Sequence, residues 1–119
     1  DIIIGHHPHV IQPVDLIEVE DHKTFVIYSL GNFLSDQVGI DRLIGMAVSL
    51  NIKMTIKSDV KEIIIDNYHS RLLYRYKDKN IFQIKPFINI DETVLLGYDE
   101  HYTDKQDLVK TYFQGILVD

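Results

Sequence analysis

The stretch Gly5-His6-His7-Pro8-His9 puts three imidazoles and a proline side by side. Neutral imidazole is the commonest nitrogen ligand for zinc, manganese, iron and related metals. Pro8 has its φ held near about −65° and pushes His7 towards extended backbone. In an extended segment, residues two apart point to the same side. His7 and His9 are therefore expected to project together, with His6 pointing elsewhere. Gly5 allows a tight turn just before the cluster. Two imidazoles held in parallel can serve a metal ion, or the three histidines can simply be surface residues of a loop. Spacing alone does not choose between these. No Asp or Glu adjoins the cluster, so any carboxylate ligands must come from elsewhere.

The elements that must hold these residues read mostly as strands. Ile2-Ile3-Ile4 is a short apolar run ending at Gly5, the pattern of a buried strand before a turn. Pro8 and Pro13 exclude a regular helix between them. Val14 to Glu20 reads as a strand, Asp21-His22-Lys23 as a hairpin turn, and Thr24 to Leu30 as the return strand, stopped by Gly31-Asn32. Phe33 to Asp41 is irregular. Further strands are expected over Leu43 to Met54, Asp59 to Asn67, Ser70 to Lys77 and Ile81 to Pro86, with turns at Ser58-Asp59 and Asp78-Lys79-Asn80. Short links make antiparallel pairing the default. One helix is expected to start at Thr103 as N-cap with Gln106 at the capping-box position. Its apolar stripe would be Leu108, Val109, Tyr112 and Phe113, and Gly115 its stop.

Composition bounds the class. The chain has 119 residues, 45% hydrophobic and 25% charged, which suits a folded globular unit and argues against disorder. A net charge of −6 excludes a broadly basic footprint, so neither nucleic acid nor an anionic membrane surface is an expected partner. There is no cysteine, which removes disulfides, thiolate nucleophiles and cysteine zinc sites. No apolar run approaches the roughly 18 residues a membrane-spanning helix needs. Residues 91–107 carry six Asp/Glu against one Lys and read as a solvated face. The chain opens at Asp1 directly into an aliphatic run, which is expected of a C-terminal piece of a longer protein. An open sheet face in such a piece favours a homo-oligomer.

The segment from Ile3 to Pro13, containing Gly5-His6-His7-Pro8-His9-Val10-Ile11-Gln12, is followed after the hairpin by Tyr28-Ser29-Leu30-Gly31-Asn32-Phe33. Together the two motifs resemble the last third of the CapA-type family, bacterial proteins of capsule and poly-γ-glutamate synthesis within the calcineurin-like metallophosphatase superfamily. The strand and helix pattern gives an α+β fold for the chain, an antiparallel meander with one C-terminal helix, and the resemblance implies that it forms the C-terminal part of a four-layer α/β/β/α sandwich. It implies one unit over residues 1–119, with the motifs in 1–42, the meander in 43–90, and the acidic segment and helix in 91–119. It also implies a two-metal site. The Gly-His-x-His signature supplies two histidine ligands, equivalent here to His7 and His9, with His6 an extra residue. Gln12 and Asn32 stand where the family has a conserved Gln and a Gly-Asn-Phe. Asn32 is then a site-lining amide, or else part of a plain strand-ending turn.

Two functions from different classes follow. In one, divalent metals activate water against an anionic polymer or phosphoester, with His7 and His9 as ligands and His6 as general acid. The upstream half of the same domain would supply the other ligands, and this chain alone would be inactive. In the other, the chain is a non-catalytic scaffold or binding component of polymer assembly or export. An extracellular or cell-surface, membrane-associated location is implied by the resemblance alone. His22, His69 and His101 are expected to be ordinary surface or strand residues.

Overall fold

The computed structural model describes residues 1–58 and 60–119. The first sheet contains β1 (Ile2–Ile4), β2 (Val14–Val19) and β3 (His22–Ile27), in the order β1-β3-β2. β2 and β3 form a hairpin whose two-residue turn places Glu20 at φ 54°. The turn sits one residue earlier than expected, so His22 is already in the ladder opposite Val19. β1 lies parallel to β3, in register Ile2–Phe25, Ile3–Val26 and Ile4–Ile27. The loop over residues 5–13 must therefore cross the carboxyl end of β3 to reach β2, and it carries the histidines.

A short helical turn, α1 (Ile40–Leu43), leads into β4 (Ile44–Lys57), which pairs antiparallel with β5 (Val60–Asp78). β5 runs on to pair antiparallel with β6 (Ile81–Pro86) through Lys79 and Asn80, both at positive φ as a type I′ turn requires. The two strands expected over 59–67 and 70–77 are thus one. Asn67, at φ 53°, is the site of a bulge: Ser49 faces His69, but Asn51 faces Asp66. Of the expected Ser58-Asp59 turn, Ser58 has φ 53° and Asp59 lies outside the described residues.

After a 3-10 turn at Phe87–Asn89 comes α2 (Tyr98–Val109), then β7 (Leu117–Val118), which pairs parallel with β5. The helix is capped six residues before the expected Thr103, at Gly97, whose φ of 75° suits glycine. Its inward stripe is the buried Val109 with the partly buried Tyr98, Tyr102 and Leu108, and Tyr112 and Phe113 lie beyond its end. All six acidic side chains of residues 91–107 are exposed.

Two expectations about the architecture are corrected. The sheets are not a pure antiparallel meander, because β1 on β3 and β7 on β5 are parallel. The chain passes over a strand end instead of turning back, and each time inserts the later strand beside an earlier one. Nor do the described residues form a four-layer sandwich. They form a mixed α+β arrangement of two sheets joined at a corner, where Gly31 bridges Gly45 and Met46 N–H donates to the Leu30 carbonyl at 2.9 Å. β1 is also less buried than its sequence suggests. It ends the sheet, and Ile3 and Ile4 are 55% and 62% exposed.

One core spans that corner. Val14, Phe25 and Ile27 from the first sheet meet Ile44, Met46, Leu72 and Tyr74 from the second. Phe87 is fully buried, stacked on Tyr74 with ring centres 5.5 Å apart and edge-on to Tyr98 and Tyr102 of α2. Beyond the bulge, β4 and β5 leave the core as a two-stranded ribbon, and the molecule reaches 59 Å in its longest dimension. Ile52, Met54 and Ile56 share one ribbon face with Ile63, which sits opposite Met54. All four are more than half exposed.

Candidate functional site

The histidine loop is fastened at both ends to the segment after β3. Gly5 N–H donates to the Ile27 carbonyl at 2.7 Å, and the Gly5 carbonyl accepts from Leu30 N–H at 3.4 Å. On the far side, Gln12 N–H donates to the Ser29 carbonyl at 3.1 Å, Tyr28 N–H to that of Pro13 at 3.3 Å, and Ile11 bridges Leu30. A side chain at Gly5 would collide with the Tyr28 carbonyl, so only glycine fits this approach.

Between these anchors the backbone turns sharply. The expected extended His7-Pro8-His9 segment is instead a turn, and His9 sits at φ 63° in the left-handed region. That conformation costs a non-glycine residue energy and is held only where its surroundings dictate it. The His7 and His9 rings lie near one another nonetheless, with centres 6.3 Å apart and planes inclined at 50°. Both residues are exposed.

His9 is the more constrained of the two. Its Nδ1 lies 2.9 Å from Oδ1 of Asn32, a residue only 6% exposed. The Asn32 amide nitrogen donates to Gln37 Oε1 at 3.0 Å and to the Arg42 carbonyl at 3.2 Å. Gln37 is held in turn by Arg75, whose Nη2 donates to the Gln37 carbonyl at 2.5 Å. Arg75 is 5% exposed, lies over the Phe82 ring at 5.1 Å, and leaves its Nε without a partner among the described residues. Asn32 thus links the histidine loop, the loop before α1 and the second sheet. Its own position depends on Gly45, where any Cβ would strike the Asn32 carbonyl. Gly45→Ala is therefore expected to destabilise the fold by more than about 1 kcal/mol and to shift the His9 ring resonances. Urea titration and NMR spectra check both, and a silent substitution would contradict the close approach.

The other expected site residues lie apart from this pair. His6 lines a groove of about 380 Å³ with Asn32, Phe33, Met46 and Val48, on the side facing β4. Gln12 lines a separate depression with Pro13, Asp15, Tyr28 and Tyr112. There the Tyr28 hydroxyl, 3.3 Å from Asp15, titrates above the ordinary tyrosine range, through desolvation first and the Asp15 charge second. His22 pairs with Asp1 at 2.9 Å and His69 with Asp119 at 3.2 Å. Gln37, Arg42 and Arg75 carry no motif in the sequence. Their contribution comes from a backbone carbonyl and from contacts across 10 or 38 positions, which no local spacing reveals.

Could these residues hold a metal? Two exposed imidazoles supply nitrogen donors of the right kind, but no group of three or more His, Cys, Asp or Glu converges among the described residues.

Comparison with known proteins covers this same segment. Residues 1–37 match the family described as bacterial capsule synthesis protein PGA_cap. Those residues include His6, His7, His9, Gln12 and Asn32. They are 51% identical over 37 residues to the PGA biosynthesis protein CapA of Bacillus subtilis (strain 168), covering 31% of this chain and 9% of that protein. The capsule biosynthesis protein CapA of Bacillus anthracis is also 51% identical over 37 residues, covering 31% of this chain and 8% of that protein. The first 37 residues are thus homologous to a short part of CapA-type proteins, less than a tenth of each relative's length. No solved structure matches the chain.

Proposed function

We propose that this chain contributes His7 and His9, as half of a ligand set, to a divalent-metal centre in a protein of bacterial capsule or poly-γ-glutamate synthesis. The observation that carries the proposal is the pairing of the two rings at 6.3 Å on an exposed, doubly anchored loop, inside the segment homologous to CapA-type proteins. The remaining ligands come from chain beyond these residues, as the resemblance implies. A bound metal pair would polarise a phosphoryl oxygen and lower the pKa of water. This chain's part is to hold two nitrogen donors in place and to present His6, in the neighbouring groove, as the proton donor to a leaving oxygen. The substrate class is an anionic polymer or phosphoester, Asn32 lines the surroundings while Gln12 lies in the separate depression beside Tyr28, and the setting is the cell surface. Among the described residues no helix is long and apolar enough to cross a membrane.

A second reading, a non-catalytic binding component of polymer assembly, draws on the exposed apolar ribbon face. A chromogenic phosphodiester assay with Mn²⁺ separates the two. Metal-dependent turnover by the protein carrying the complete ligand set, lost in His6→Ala and His7→Ala, supports catalysis. Metal binding without turnover supports the binding component. Residues 1–119 alone are expected to be inactive, and full turnover by them would overturn the half-site.

The same ribbon leads to an expectation about association. Exposed Ile52, Met54, Ile56 and Ile63 gain roughly 25 cal/mol for each Å² they bury. The chain is expected to sediment as a dimer or larger species at low micromolar concentration, and Met54→Lys to shift it towards monomer. A monomeric boundary for the unaltered chain would contradict this.

A further inference from the structure

Asn32 has a more specific task than lining a site, and its hydrogen bonds define it. One of its two neighbours on the nitrogen side is the Arg42 backbone carbonyl, which can only accept. The Asn32 group facing Arg42 is therefore the NH₂. Its second proton is used by Gln37 Oε1 at 3.0 Å. The amide cannot be turned over without setting two oxygens against each other, so Oδ1 must be the atom facing His9. An amide oxygen has no proton to give. The contact of 2.9 Å then requires His9 Nδ1 to carry the hydrogen and donate. In the neutral ring this leaves the lone pair on Nε2, the far nitrogen.

We infer that Asn32 is a positioning residue that fixes both the tautomer and the ring direction of His9, so that Nε2 is presented as a ready electron-pair donor. The inference rests on the metal-site reading above for its purpose, but not for its geometry. Free imidazole side chains favour the opposite tautomer, with hydrogen on Nε2, and turn about χ1 and χ2. A ligand in that state must first exchange its proton and be ordered. Here both steps precede ligand arrival, because Asn32 is buried and tied to two other segments. The left-handed backbone of His9 fits the same account: it is the conformation that brings Nδ1 to Oδ1 while the loop stays anchored at Gly5 and Gln12. Outer partners of this kind are worth about 10–100-fold in metal affinity.

The test is a long-range ¹H–¹⁵N correlation spectrum of the metal-free protein at pH 8, where ordinary histidines are neutral. The expected result is a His9 ring protonated at Nδ1, in contrast to His6. Asn32→Ala should return His9 to the Nε2-protonated form. Asn32→Asp, which still accepts at Oδ1, should retain the Nδ1 proton. A His9 ring protonated at Nε2 in the unaltered protein would overturn the inference. So would an unchanged tautomer in Asn32→Ala. Should Asn32→Ala fail to fold, the unaltered protein and Asn32→Asp still decide. A Zn²⁺ titration on the same samples separates the two layers. Nδ1 protonation with Zn²⁺ affinity about 10–100-fold weaker in Asn32→Ala supports the positioning role. Nδ1 protonation with no effect of His7→Ala or His9→Ala on Zn²⁺ leaves Asn32 in its role and sinks the metal centre instead.

Discussion

Phe87→Ala is expected to lower the stability of this chain by about 3–5 kcal/mol. Phe87 is fully buried, and its ring is enclosed by Tyr74, Tyr98 and Tyr102. Removing it loses the transfer energy of the ring and leaves a hole. The three tyrosines cannot readily fill it, since they come from β5 and α2 and are fixed by their own elements. The loss is a large share of the roughly 5–15 kcal/mol that holds a domain together. Phe87 is also where the second sheet meets the helix, so α2 should loosen first. Urea unfolding followed by far-UV circular dichroism measures the effect. Phe33→Ala is the control: Phe33 is 65% exposed and should change stability by no more than about 0.5 kcal/mol. A Phe87→Ala loss no larger than the control's would mean that α2 does not pack on β5 as described.

The second large effect concerns metal affinity. Removing His7 and His9 together should eliminate specific Zn²⁺ or Mn²⁺ binding at the loop. Either single change should weaken it by more than about tenfold, since even the outer partners of a ligand are worth about 10–100-fold. Binding by residues 1–119 is expected to be weak from the outset, because two imidazoles leave most of a coordination shell to water. Isothermal titration reads both. His7 and His9 are exposed, but His9→Ala also leaves the buried Asn32 Oδ1 without its partner, so circular dichroism of each variant accompanies the titration. Unchanged affinity in the double variant would refute the ligand assignment, and tight stoichiometric binding by the unaltered chain would refute the half-site.

Strand positions were largely legible in the sequence, because alternation and turn residues act locally. The β2–β3 hairpin, β4 and β6 fall within a few residues of where the pattern puts them. Asp66-Asn67 looked like a strand end for a physical reason: asparagine tolerates positive φ, and that conformation serves a turn or a bulge equally well. The start of α2 was hidden because Asp99 and Glu100 read as solvated charge. They do face solvent, while Tyr98 before them and Tyr102 after them reach Phe87. The parallel pairings were not legible. They depend on which strand the chain crosses, and β7 has only two residues with which to signal.

At the site, the proline and the histidine spacing mark a constrained loop but misjudge its backbone: His9 is left-handed, and its ring meets Asn32, 23 positions away, which no local spacing reveals. The pH behaviour of one further contact follows from its geometry. Thr93 donates to the Asp91 carboxylate from hydroxyl and backbone, and these bonds hold the Asp91 pKa below its ordinary value. The group thus contributes stability that is complete above the unfolded carboxylate pKa and is lost as pH falls through the lowered one. Thr93→Val should remove the hydroxyl's share of that acid-side dependence and raise the Asp91 pKa, leaving the backbone bond in place, as NMR titration of Asp91 would read.

The central proposal is that the two imidazoles receive a divalent cation. Substoichiometric Mn²⁺ added to the ¹⁵N- and ¹³C-labelled protein tests it most directly, because paramagnetic broadening maps the ion's location even when binding is weak. The account predicts that the His7 and His9 ring signals and their loop neighbours broaden first. Broadening confined to the exposed carboxylates of residues 91–107, with both rings left sharp, would contradict it.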